Sequence, residues 1–157
     1  MTVTVTLDGE TDIIVTRRLA APPALVYRAH LEPALVRRWM VGPDGWTMPV
    51  CDSDSRPGGS FRYEWSNGEG QGFHATGEFI ALEPDRMIEH VERMFLPDRT
   101  PDNHIVTRFE PDGAGTRLVM RMRLTDAATR AAIMESGMVD GLDQSYDRLE
   151  ALQAKAA

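Results

Sequence analysis

The stretch TRLVMRMRLTDAATRAAIMESGMVDGLDQSYDRLEALQAK, Thr116 to Lys155, decides the fold, because its apolar period changes once, near Thr125 and Asp126, from two to nearly four. Before the change, Leu118, Met120, Met122 and Leu124 alternate with Arg117, Val119, Arg121 and Arg123. That is an antiparallel strand with one face toward a core and the other toward water. After it, Met134, Met138, Leu142, Leu149 and Leu152, with Ser145 and Tyr146, recur at intervals of three and four. This predicts a single long helix with one inward stripe, N-capped by Thr125 or Asp126. At 1.5 Å per residue it would be about 40 Å long, more than a strand of eight or nine residues spans. Such a helix must cross the sheet diagonally or project beyond it. Gly137 and Gly141 each cost about 1 kcal/mol relative to alanine inside a helix, and leave either close helix-to-sheet contact or open room.

Upstream, Pro111-Asp112-Gly113 turns the chain into this strand, and period two persists through HIVTRFE, RMIEHVERMF, GFHATGEFIAL and SFRYEW. Phe61, Tyr63 and Trp65 share one face of the last of these. With a further strand from Trp46 to Asp52, six strands follow one another through hairpin-length connections such as Asn67-Gly68, which predicts one antiparallel sheet. The β-branched run DIIVTRRL, Asp12 to Leu19, is an additional strand, preceded by a ribbon TVTVTL that turns back through Asp8-Gly9. Between that strand and the six, PPALVYRAHL and PALVRRWM form two short helices whose first turns are pre-set by Pro22-Pro23 and Pro33. No repeat or linker divides the chain, so residues 1–157 are read as one domain, with 1–11 as an N-terminal ribbon.

Composition narrows the function. A chain of 157 residues with 42% apolar content can bury roughly 70% of its unfolded surface around one core. A net charge of -7 opposes phosphate backbones, so no nucleic-acid role is expected. Arg117, Arg121 and Arg123 cluster with Arg108 nearby, but they alternate with apolar residues on predicted strands, as a solvated face paired with carboxylates. The N-terminus lacks a signal-peptide pattern and no apolar run reaches membrane-spanning length, so no membrane partner is expected. Cys51 is the only cysteine, which fits a reducing, cytoplasmic setting. His30, His74, His90 and His104 lie far apart without metal-ligand spacing, and no phosphate loop or dinucleotide fingerprint is present. Neither a metal nor a cofactor is expected.

The catalytic candidates are few. His90 and Glu92 lie two apart, hence on one strand face, and a histidine beside a carboxylate can act as general acid or base. Met87, Glu89 and Val91 make the opposite face equally mixed, so periodicity does not say which side is inside. Tyr146 belongs to the helix stripe, and its hydroxyl, if buried, needs a partner: His90, a ligand or an ordered water. Cys51 has no evident base, and Asp52 beside it would raise rather than lower its pKa. The methionines are suggestive: Met120 and Met122 on the last strand would face Met134 and Met138 on the helix. Flexible thioethers suit an adaptable apolar pocket, and they equally fill gaps in an ordinary core.

The element order, with APPALVYRAHLEPALVRRWM followed by GPDG, then DSRPGGSFRYEW, GEFIALEPDRMIEH, GTRLVMRM and GMVDGLDQSYDRLEAL, resembles the activator of Hsp90 ATPase homologues in their bacterial single-domain form. The match spans about residues 12 to 154. The resemblance implies an α+β helix-grip fold of the START/Bet v 1-like kind, a curved antiparallel sheet around a C-terminal helix, often with an apolar cavity between them. A small hydrophobic or amphipathic ligand would then be lined by Phe61, Tyr63, Met120 and Met122 from the sheet. Met134, Met138, Leu142 and Tyr146 would face it from the helix.

By the same analogy Trp39 packs inward beneath the short helices, with Trp39 and Trp46 near the cavity entrance, on either side of the Gly42-Pro43-Asp44-Gly45 turn. The alternative is that both tryptophans plug one end of the core. The family name also points to a chaperone partner, and the wider superfamily to a cyclase or hydrolase using His90 or Tyr146 as acid or base. Self-association as a homodimer would use the ribbon or an open sheet edge.

Overall fold

The computed structural model describes residues 3–41 and 44–156, with side chains as far as Gln153. The ribbon forms β1 (Thr4–Asp8) against β2 (Asp12–Leu19), through a three-residue connection in which Gly9 takes a φ of 57°. Two helices follow, α1 (Pro23–Leu31) and α2 (Pro33–Trp39). Glu32 between them is extended, as a residue before proline prefers, and Pro33 then restarts the helix at its first position, where no N–H is needed. The meander is β3 (Thr47–Ser53), β4 (Ser60–Ser66), β5 (Gly72–Glu83), β6 (Met87–Phe95), β7 (Asn103–Asp112) and β8 (Gly115–Arg123).

All eight strands make one antiparallel sheet in the order β1-β2-β8-β7-β6-β5-β4-β3, so β8 returns to pair with β2. Cross-strand partners share a face. Ile13 opposite Met122, Met122 opposite Ile105, Val15 opposite Met120 and Leu118 opposite Phe109 therefore define the inner side, and all are buried. Each such side chain taken from water contributes roughly 1.5–3 kcal/mol. On the other side Arg117 pairs with Glu110, while Arg121 and Arg123 reach Asp12, so these three arginines form a face of ion pairs.

The C-terminal region departs from expectation. One helix was predicted from Asp126 onward; the chain forms two, α3 (Ala127–Glu135) and α4 (Met138–Ala156). Asp126 caps α3, accepting from the Thr129 N–H at 2.8 Å. The break is at Gly137, whose φ of 85° is left-handed, the conformation that ends helices at little cost only in glycine. Met134 and Met138 stay in phase across the break, so periodicity alone could not reveal it. Gly141, by contrast, lies within α4.

α4 is held to β2 by polar contacts at the helix edges and apolar ones beneath. Arg17 is buried and reaches Asp147 at 3.0 Å and Asp143 at 3.6 Å, and Glu150 accepts from the Ala20 N–H at 3.0 Å. Tyr146 and Leu149, fully enclosed, point into the core.

Candidate functional site

Register resolves the side of β6 that the sequence left open. His90 lies opposite Ile105 and Phe79, both buried, so His90 and Glu92 face the interior, beneath the helices. The His90 ring meets Phe61 edge-on at 5.6 Å and Phe79 at 6.4 Å. Gly77 makes this possible: it lies opposite Phe61 and Glu92, and a Cβ there would run into the Phe61 ring.

The polar atoms in this lining are incompletely satisfied. Nε2 of His90 stands 3.7 Å from Oε1 of Glu92, too far for a hydrogen bond, and Nδ1 of His90 is buried without a partner. Asn103, directly opposite Glu92 on β7, also has a buried oxygen, Oδ1, without a partner. Glu92 is about one-quarter exposed, and among the described residues no arginine pairs with it. Burial, then the neighbouring Cys51 and Glu92, pushes the Tyr63 phenol well above its ordinary range. Cys51 itself is buried and its thiol is pushed up, mainly by that burial, so it is inert as a nucleophile.

Facing this wall from α1 is His30. Its Nδ1 lies 2.8 Å from the Val26 carbonyl, and its ring packs against Trp39 at 4.7 Å and Phe109 at 5.0 Å. Burial, with His90 nearby, pulls its imidazole down to about 4. The residue as a whole is partly exposed.

At one end of the sheet Asp12 pairs with Arg123, Arg123 with His104, Asn103 with Glu92, His74 with Phe95 and Trp65 with Phe73. The same end is covered by the start of the helices, because Arg130 of α3 donates to the Gly9 carbonyl at 2.9 Å and α4 runs from there toward Ala20. Met134, Met138 and Leu142 lie half-buried over it, while Met120 and Met122 beneath are buried.

The two tryptophans have different surroundings. Trp39 packs inward beneath the short helices, as expected, and is 2% exposed: its Nε1 donates to the Ala29 carbonyl at 2.8 Å and its ring stacks on Tyr146 at 5.9 Å. That buried hydrogen bond draws it between α1, α2 and α4. Trp46 is half-buried against Phe73, which also stacks on Trp65. Gly42 and Pro43, the centre of the expected turn, lie outside the described residues.

Of the catalytic candidates, His90 lines the inner wall, whereas Tyr146 lies against Trp39 beside Arg17; no hydrogen bond joins the two among the described residues. Open grooves of about 680 and 500 Å³ border β3–β5. Of the expected lining residues only Phe61 borders either one. Sequence reasoning missed His30 and Asn103. His30 had a signal, its place four residues after Val26 on the inward side of α1. Asn103 had none, since only its register with Glu92 brings it to the wall.

A sequence model described as Activator of Hsp90 ATPase homolog 1-like protein matches residues 20–154. The chain belongs to this family. Solved structures agree with the fold of the family member described above. A Rhodobacter sphaeroides protein, 25% identical, superimposes with a TM-score of 0.89 over 99% of each chain. A Nitrosomonas europaea protein, 28% identical, gives 0.82 over 96% of this chain and 100% of its own. A Chromobacterium violaceum protein, also 28% identical, gives 0.76 over 90% and 96%. Among curated proteins none matches.

Proposed function

We propose that the chain encloses a small hydrophobic or amphipathic molecule between the inner face of the sheet and the α3–α4 helices. The observation that carries this is the pair of buried, unpartnered polar atoms, His90 Nδ1, two residues from Glu92 on β6, and Asn103 Oδ1, opposite Glu92 on β7, in a wall that also holds Phe61, Tyr63 and Phe79. A buried polar atom without a partner costs about 1–3 kcal/mol, so a lining that carries two of them is better suited to meeting a guest than to filling a core. The imidazole of His30, buried and close to His90, borders the same wall. Phe61, Tyr63, Met122, Met138 and Leu142 would supply the apolar contacts, Trp46 and Trp65 the rim. A reducing cytoplasmic setting is part of the proposal. Native mass spectrometry of the purified chain, with a thermal-shift screen of hydrophobic compounds, tests it. A bound species or a ligand-dependent rise in Tm is expected; no bound species and no shift would overturn it.

The family match supports a second reading, regulation of a chaperone ATPase. Adding the purified chain to a bacterial Hsp90 tests it, and an unchanged ATPase rate would remove it.

A further inference from the structure

Glu92 differs from the other carboxylates that face arginines on this molecule. On the outer side of the sheet, Glu78 and Asp102 share Arg93, and Glu110 takes Arg117. Among the described residues Glu92, on the inner side, has only His90 as an ion-pair neighbour, and no described hydrogen-bond donor reaches its oxygens. A carboxylate drawn partly out of water without a cation is unfavourable, and the natural remedy is a cation that arrives with the ligand. The groups around it agree. With the Nε2 proton turned toward the carboxylate, His90 Nδ1 is a lone-pair acceptor, and Asn103 offers Oδ1. The atoms left without a partner here, the Glu92 oxygens, His90 Nδ1 and Asn103 Oδ1, are therefore acceptors. The rings of Phe61 and Tyr63, stacked at 4.9 Å, lie beside it, and aromatic faces attract alkylammonium groups. An ammonium, with three donors and no acceptor, complements such a lining; a carboxylate does not.

We propose that the ligand is a protonated amine with an apolar body, its ammonium held by Glu92, Asn103 and His90 and its hydrocarbon directed toward Met122, Met138 and Leu142. This rests on the enclosed-ligand reading above and specifies its chemistry.

Calorimetric titration with octylammonium, 1-octanol and octanoate, each below its aggregation threshold, tests it, using the intact chain and Glu92→Gln. Octylammonium is expected to bind at least tenfold more tightly than 1-octanol, and octanoate most weakly. Glu92→Gln should lower octylammonium affinity at least tenfold and leave 1-octanol unchanged. If 1-octanol or octanoate binds the unaltered chain as tightly as octylammonium, the charge assignment is overturned while the enclosed-ligand reading survives. If none of the three binds, both are overturned. The comparison among ligands on the unaltered chain decides the matter even if the variant folds poorly.

Discussion

Nε2 of His90 stands 3.7 Å from Oε1 of Glu92, two residues along the same strand, on the face that the helices cover. The two groups are neighbours without being bonded, so the carboxylate contributes desolvation cost with little return in stability. Glu92→Met, which fills the same space without charge, is therefore expected to raise stability by about 1 kcal/mol in urea unfolding. A loss of stability would mean that Glu92 is there for the fold.

Acid should weaken the fold through His30. Its imidazole, ordinarily near 6.5, is pulled down to about 4 in the folded chain by burial. The unfolded chain thus takes up a proton that the folded chain refuses. Stability is full above pH 6.5 and falls as pH drops toward about 4, by about 2 kcal/mol at pH 5. Glu78 and Asp102, held low by hydrogen bonds from Arg93, lose their contributions only at lower pH. Urea unfolding at pH 7.5 and 5 should show the drop, and His30→Gln should flatten it.

The two tryptophans beside the turn should respond oppositely to the same change. Trp39→Phe leaves the buried Ala29 carbonyl without its donor and is expected to cost about 2 kcal/mol. Trp46→Phe, at a half-buried site against Phe73, should stay within about 0.5 kcal/mol. Chemical denaturation of both variants checks the contrast; equal costs would contradict the assignment of Trp39 to the core.

The two helix glycines should also differ in sign. Gly137→Ala forces a left-handed backbone on alanine and should cost about 1 kcal/mol. Gly141→Ala adds a methyl with nothing within 4 Å and should gain about 1 kcal/mol from helix propensity. Thermal unfolding, with Tm moving down for the first and up for the second, tests both.

Much of the fold was legible along the chain. The alternation of Leu118, Met120 and Met122 with arginines marked both faces of β8, and Pro22-Pro23 and Pro33 marked where α1 and α2 begin. The break at Gly137 was not legible, because Met134 and Met138 remain in phase through it and a glycine reveals its φ only when folded.

The candidate site was legible only in part. Period two placed His90 and Glu92 on one face, a property of the backbone that any strand obeys. Which face lay inside depended on pairing with Phe79 and Ile105, partners 11 and 15 residues away along the chain. Sequence by itself determined the eight strands, the two short helices and their order, since these follow from local periodicity and residue spacing. Tertiary structure alone decided that His30, His90, Glu92 and Asn103 face one interior, because long-range register and helix docking, not neighbours in sequence, set which polar groups lose water.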